Sequence, residues 1–342
     1  MMDKATGAKL SQAMTRIRTN VERAIDRLQS LQEGDIGVID VIAQGADALP
    51  YLKALLFKPE PSGLYESRRR AVEALAALWA YDTLREFLAS PREIADPAEQ
   101  TGEEAVINAA ARALGNLGDP QDLPLLLALL RRAPRAGVID AVGRFRRVEA
   151  LPFFVEALGD DFCRKDAQAA ILKLGAKARH ALFQCLLERE PPNGREVDSS
   201  KQRRRSALRL LIEIGVPSKL IWTPLKRLIH DADTWISVLS CKVCLASKME
   251  SEKPEAIERL IQMLKEPDSL LIAEIEDSLD ANFQRALPAI NHAIEYEVSM
   301  DDPGAPWWLK DKALTVLLRI RSKHAAAPTP EENGHYRGRK IN

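Results

Sequence analysis

The stretch that decides the fold, Ala109 to Leu130, reads AAARALGNLGDPQDLPLLLALL. It predicts two helices joined by a short turn. Gly115 and Gly118 are expected to end the first helix, because glycine adopts the left-handed backbone conformation at little cost. Asp119 is expected to cap the second helix, and Pro124 suits a first turn. One face of that second helix is apolar, since leucines recur at helical spacing at Leu123, Leu126, Leu127 and Leu130.

The same order of apolar helix, turn and apolar helix recurs along the chain. Besides residues 109–130, it is found at 37–56, 69–88, 141–158, 170–187, 208–228, 235–264 and 269–294. Such spacing predicts helix pairs that stack on their neighbours, because one pair alone buries little apolar surface. We expect an N-terminal capping helix within residues 1–34, a repeat array over 35–295, a C-terminal capping helix within 296–323 and a disordered tail over 324–342.

Short motifs in this pattern resemble a known repeat family. Ala113-Leu114-Gly115, Leu117-Gly118-Asp119 and Leu123-Pro124 are similar to HEAT-like repeats of the bacterial phycobilisome-lyase type, with echoes at Leu174-Gly175 and Ala150-Leu151-Pro152. The resemblance implies an all-α fold, a right-handed α–α superhelix (a HEAT/armadillo-like solenoid) of seven to eight helical pairs. It also implies a binding scaffold without catalytic residues.

Composition agrees with a folded helical protein. Of the 342 residues, 46% are apolar, 29% are charged and 5% are aromatic, which excludes a mostly disordered chain. The longest apolar run, Leu123 to Leu130, is far below the roughly 20 residues that span a bilayer. No apolar signal-peptide core follows the N-terminus, so we expect a cytoplasmic protein whose four cysteines are reduced.

Charge is balanced overall and segregated along the chain. There are 49 basic and 49 acidic residues, yet residues 131–230 have a net charge of +10 and residues 231–302 a net charge of −10. A basic middle and an acidic later third predict two different electrostatic surfaces.

Basic residues cluster at the predicted starts of first helices and between repeats. Stacked repeats would align them in a stripe of exposed cations along one edge, able to contact phosphates or an acidic protein surface. A solvated face with local acidic pairing, through Asp166 and Glu196, is the alternative. The candidate binding residues are Arg68, Arg69, Arg70, Arg131, Arg132, Arg135, Arg144, Arg146, Arg147, Arg164, Lys165, Arg203, Arg204 and Arg205.

Two constellations could carry chemistry. Cys241 and Cys244 have a CxxC spacing without a second ligand pair, so we predict core residues and no metal site. Trp222 and Trp235 flank a histidine and two aspartates, a set similar to that of HEAT-like DNA glycosylases that excise alkylated bases. HExxH, GxSxG, GxGxxG and GxxxxGK[ST] are absent from the sequence. We therefore predict no catalytic, cofactor-binding or metal residue.

These observations favour a non-enzymatic scaffold or adaptor for protein–protein interaction, with another protein as partner and no membrane. The alternative is a nucleic-acid-binding HEAT-like protein, including an alkyl-base DNA glycosylase, that uses the arginine stripe. A subunit that handles a bilin chromophore is a third class. Longer segments at residues 58–66, 89–102, 190–200 and 297–306 interrupt the repeat spacing and are expected to be loops.

Overall fold

The predicted helical fold is present throughout a computed structural model. The structure describes residues 4–59, 64–92, 94–216, 222–248, 250–300 and 312–325. Within these ranges the chain forms helices and turns and no strand. The all-α prediction is therefore confirmed.

The helices follow one another with short connections. Their bounds are α1 Lys4–Gln29, α2 Gly34–Ala43, α3 Leu49–Phe57, α4 Glu66–Ala77, α5 Tyr81–Ala89, α6 Pro97–Leu117, α7 Leu123–Arg132, α8 Ala136–Arg144, α9 Leu151–Ala157, α10 Arg164–Leu174, α11 Arg179–Leu187, α12 Asp198–Ile214, α13 Trp222–Ile229, α14 Thr234–Ala246, α15 Lys253–Gln262, α16 Ser269–Ala281, α17 Phe283–Met300 and α18 Lys312–Ala325.

The predicted repeats correspond to successive helix pairs, from α2/α3 to α16/α17. First helices pack on first helices of the next pair, as α2, α4, α6, α8 and α10 do in order. The chain divides into two compact units, residues 1–181 and 182–342, whose boundary falls inside α11. The superhelical handedness and the domain boundaries expected from the sequence stay predictions.

The turn between α6 and α7 shows how the sequence sets these boundaries. The helix α6 ends at Leu117 because Gly118 is left-handed, with φ of 72°. The Asp119 carboxylate then accepts a hydrogen bond from the Gln121 amide, 3.0 Å long. The prediction that Gly115 also ends the helix is wrong. Gly115 lies inside α6, where a Cβ atom would stand 2.6 Å from the Ala141 Cα of α8. Glycine at this position therefore permits the close packing of α6 on α8.

Three of the expected loops are shorter than predicted. Residues 97–102 belong to α6, whose start is capped by the Asp96 carboxylate. The segment before α12 ends at Val197, and Glu196 within it is buried. Helix α17 also continues to Met300, into the loop expected at 297–306. Residues 301–311 and 326–342, which include most of the predicted tail, lie outside the described residues.

A membrane-spanning helix is not found in the described part of the chain, since no helix there combines the required length with sufficient apolarity.

Candidate interaction surface

Several of the candidate arginines are buried in the repeats rather than displayed on them. Arg68, in the first turn of α4, donates from Nε to the carbonyl of Leu56 at 2.8 Å, and its Nη1 lies 2.6 Å from Glu103. The exposed fractions of the Arg68 and Glu103 side chains are 2% and 1%. Arg92 donates to the same carboxylate oxygen of Glu103. Arg68 thus joins the end of α3 to the start of α6.

The Glu103 carboxylate is held ionised by this arrangement. Burial alone would raise the pKa of Glu103, but hydrogen bonds from Arg92 and Arg68 outweigh it, so the pKa is lowered. A buried carboxylate between two guanidinium groups is a structural ion pair.

Arg204 has the same role in the second unit. Its Nε donates to the Leu186 carbonyl at 3.0 Å, its Nη1 to Glu196 at 2.8 Å and its Nη2 to Asp231 at 2.7 Å. The Arg204 side chain is 1% exposed. The expectation that all three arginines of the 203–205 cluster are exposed is therefore wrong. The physical reason is that a guanidinium satisfies helix-terminal carbonyls and carboxylates that would otherwise be buried without a partner.

The same capping contact recurs at two further candidates. The Arg70 Nη1 donates to the Ser30 carbonyl beyond the end of α1, at 2.9 Å, and Arg70 is buried. The Arg164 Nε donates to the Leu158 carbonyl at the end of α9, at 3.0 Å. A cation at a helix C-terminus interacts favourably with the helix dipole. Arg164 thus stabilises the end of the preceding helix, α9, and Arg70 stabilises the end of α1.

Other candidates are paired nearer the surface. Arg69 contacts Glu66 and Glu73 on its own helix. Arg203 pairs with Glu190 at 2.8 Å, and the Arg205 Nε donates to Asp233 at 3.0 Å. Arg144 pairs with Asp140 at 2.9 Å, and Arg135 lies 3.8 Å from Glu104 with 11% of its side chain exposed.

Five candidates are exposed and make no ion pair with any residue that the structure describes: Arg131, Arg132, Arg146, Arg147 and Lys165. They do not form the single stripe that was expected. Arg131 and Arg132 end α7, just before the start of α8. Arg146 and Arg147 come just after the end of α8. The two arginine pairs therefore lie at opposite ends of α8, about 13 Å apart along its axis.

The four cysteines are buried, and Cys241 and Cys244 lie inside the apolar core of the second unit, as predicted. Burial raises the pKa of the Cys185 and Cys244 thiols to about 12. These thiols are therefore neutral and unreactive at physiological pH. Among the described residues, no group of three or more His, Cys, Asp or Glu side chains is arranged to hold a metal ion.

The described residues of the glycosylase-like set, Trp235, Asp231 and Asp233, make structural contacts with neighbouring side chains. The Trp235 indole donates to the Asp268 carboxylate at 3.0 Å, and the Arg209 guanidinium lies over its ring. Asp231 is paired with Arg204. Burial would raise the pKa of Asp233, but hydrogen bonds from Arg205 and the Ile236 amide lower it. The side chain of Trp222 lies outside the described residues.

Much of the acidic later third is neutralised within the second unit. Glu250 contacts Lys253 and Arg285, both at 2.7 Å. Glu276 and Asp280 of α16 contact basic side chains of α18. A groove of about 670 Å³ lies between α15 and α17, and its lining mixes apolar and polar side chains. Among them are Ile257, Ile261, Ala289, Ala293, Glu258 and His292.

The architecture and these contacts define an all-α helical repeat protein whose arginines join successive repeats. The family model of the PBS lyase HEAT-like repeat matches residues 106–132, which span most of α6 and all of α7. This match supports a HEAT-like repeat family, as the resemblance implied. A search of curated proteins finds no match to the chain.

Proposed function

We propose that this protein is a non-enzymatic scaffold for protein–protein interaction. The observation that supports the proposal is the division of its arginines into two groups. Buried arginines such as Arg68 and Arg204 make contacts between repeats. Four other arginines are exposed and have no ion pair among the described residues: Arg131, Arg132, Arg146 and Arg147. Cations left free in this way are suited to recruit an acidic partner.

An exposed apolar side chain supports the same proposal. Trp79 is 76% exposed and lies at the turn between α4 and α5. Large apolar side chains at the surface, next to charged groups, are typical of contact sites for other proteins.

The test is affinity capture from the native host with two charge-matched variants. The first exchanges Arg131, Arg132, Arg146 and Arg147 for Glu. The control makes the same change in charge at four exposed cations of the second unit: Arg195, Arg227, Lys248 and Arg321. We expect the wild type and the control to recover a partner protein in stoichiometric amount and the first variant to lose it. Equal recovery by all three proteins, or by none, would contradict the proposal.

Nucleic-acid binding is the second candidate, because the same four arginines could contact phosphates. A gel shift with single-stranded DNA, duplex DNA and RNA distinguishes it. A nucleic-acid complex that forms at low salt and weakens steeply at moderate salt would favour this candidate over the scaffold.

A further inference from the structure

The turns that join the two helices of each repeat in residues 1–181 share one backbone feature. Each contains a residue with a positive φ, which side chains with a Cβ atom rarely adopt. Three of these residues are glycines, Gly45, Gly118 and Gly175, with φ of 61°, 72° and 56°. The other two are Trp79 and Arg146, with φ of 59° and 53°. Since side chains with a Cβ atom are strained there, two of the five turns carry a large side chain at a cost in stability.

The strain at Trp79 is not offset by burial. The Trp79 amide donates to the Ala76 carbonyl at 3.1 Å and the Ala80 amide to the Leu75 carbonyl at 2.9 Å, a helix ending that usually requires glycine at the position of Trp79. The indole is 76% exposed and meets the ring of Tyr81 edge-on, with centroids 5.9 Å apart. An exposed indole that contacts a half-buried tyrosine ring on a strained turn is a feature of recognition rather than of folding.

Arg146 begins a basic cluster on a turn further along the same unit. Arg146, Arg147 and, on the following turn, Lys177 are exposed and make no ion pair with the described residues. Two close contacts between α6 and α8, from Asn108 to Gly137 and from Gly115 to Ala141, show that these helices run in the same direction.

Contacts at the other end of these helices extend this arrangement to α4. The Arg68–Glu103 pair joins the first turn of α4 to the second turn of α6. The turns that follow α4, α6 and α8 therefore lie along one edge. We call the set Trp79, Tyr81, Arg146, Arg147 and Lys177 the turn edge. Two helix spacings, or about 16–20 Å, separate its aromatic end from its basic end.

Acidic groups between the two ends are already paired. Asp82 and Asp119 lie 2.8 Å and 3.1 Å from two nitrogens of Arg85. The Arg85 guanidinium also pairs with the buried Asp122 at 2.6 Å, so a single cation is shared by three carboxylates. Asp82 and Asp119 therefore oppose the exposed cations of the turn edge somewhat less than unpaired carboxylates would.

We propose that the turn edge is a docking surface for an acidic, extended protein segment that carries an apolar or aromatic side chain. This inference rests on the proposed scaffold function and names its surface and partner chemistry. Trp79 and Tyr81 would hold the apolar side chain, and the basic cluster would contact carboxylates. An extended chain advances about 3.3 Å per residue, so about six residues span the distance.

A protein segment fits better than a nucleic acid. Residues 1–181 contain equal numbers of acidic and basic residues, so the unit as a whole does not attract a polyanion. The positive charge is confined to one end of the turn edge, where a short acidic segment can match it.

The experiment selects ligands with the full-length chain from a displayed library of random 12-residue peptides. The selected peptides are then measured by fluorescence anisotropy against wild type, Trp79→Gly, Arg146→Gly with Arg147→Ser, and Phe162→Ala. The glycine substitutions relieve strain, so these variants are expected to fold. Phe162 is the control, because it is an exposed aromatic residue on a turn that joins two repeats, at the other end of the helices.

We expect acidic peptides with an aromatic or aliphatic residue, whose dissociation constant rises at least tenfold for both turn-edge variants and is unchanged for Phe162→Ala. Peptides that bind all four proteins equally would overturn the turn-edge proposal and leave the scaffold function intact. Selection of basic peptides, or no selection at all, would also overturn it. Binding of a labelled 20-nucleotide single strand that both turn-edge variants abolish would assign the surface to nucleic acid instead.

Discussion

Arg68 and Arg204 have the same set of contacts although they belong to different units and different positions of their triplets. Each donates Nε to a carbonyl at the end of the preceding helix and Nη to a buried carboxylate. Each of these hydrogen bonds takes the place of a hydrogen bond to water that the carbonyl or carboxylate loses when the repeats stack. At the scale of the residue, an arginine in the first two turns of a repeat's first helix is therefore a connector between repeats.

Removal of Glu103 is expected to destabilise the first unit. In Glu103→Gln, two guanidinium groups lose the charge that compensates them, and a broken buried ion pair costs about 3 kcal/mol. Hydrogen-exchange mass spectrometry of α4 and α6 measures this loss. The neighbouring Glu104→Gln is the control, because 42% of the Glu104 side chain is exposed and its nearest cation lies 3.8 Å away. Equal protection in the two variants would contradict the prediction.

The same pair makes the stability of the first unit depend on pH. The pKa of Glu103 is lowered in the folded protein, so its stabilising contribution is present above the unfolded pKa of about 4.3 and is lost as the pH falls through the folded pKa. We expect the stability difference between wild type and Glu103→Gln to be constant near neutrality and to shrink below about pH 4. A difference that grows in acid would show that another group dominates.

The left-handed turns provide a reciprocal pair of substitutions. Trp79→Gly relieves a strained backbone and is expected to leave the free energy of unfolding unchanged or to raise it by about 1 kcal/mol. Gly118→Ala introduces the same strain where no neighbouring atom lies within 4 Å, so it should cost about 1 kcal/mol through the backbone alone. Thermal melts of both variants check the sign of the change in stability. Gly118→Ala should lower the melting temperature, whereas Trp79→Gly should raise it or leave it unchanged.

At the scale of the element, the sequence predicted most helix boundaries because local chemistry decides them. Gly118, Asp119 and Pro124 act within three residues of the turn that they shape. The burial of Arg68 was not predictable, because its partner Glu103 is 35 residues away and only the packing of α4 on α6 brings the two together. The internal position of Gly115 depends on α8 in the same way.

Close packing of α6 on α8 is expected to depend on Gly115. A methyl group in Gly115→Ala would meet the Ala141 backbone at 2.6 Å, so the helices must separate, at a cost of about 1–3 kcal/mol. The control is Asn116→Ala at the exposed neighbouring position. It raises helix propensity without this clash, so the free energy of unfolding should stay unchanged or rise slightly. Equal unfolding free energies of the two variants in urea would show that the helices do not require this approach.

The core face of α7 is the second test at this scale. Leu126 is fully buried, whereas Ala128 on the same helix is exposed. Leu126→Asp places a carboxylate among apolar side chains and should cost more than about 4 kcal/mol, enough to unfold the neighbouring repeats. Ala128→Asp should change stability by less than about 1 kcal/mol, and circular dichroism with urea unfolding separates the two results.

At the scale of the whole molecule, two compact units have separate sets of buried ion pairs. Arg68, Arg92 and Glu103 belong to residues 1–181, and Arg204, Glu196 and Asp231 belong to residues 182–342. In repeat proteins, stability is approximately the sum of local terms and nearest-neighbour interfaces. A defect in one set is therefore expected to remain largely local.

Reversal of the 203–205 cluster tests this expectation. Arg204→Glu would place a third carboxylate beside Glu196 and Asp231, with only the more exposed Arg189 left, 3.4 Å from Glu196. A buried charge without sufficient compensation destabilises by about 3–5 kcal/mol. Hydrogen exchange should then show lost protection in α12 and α14 and retained protection in α4, α6 and α8. The exposed pair Arg131→Glu with Arg132→Glu should preserve protection everywhere. Simultaneous loss of protection over residues 1–181 and 182–300 in Arg204→Glu would mean that the two units unfold as one cooperative body.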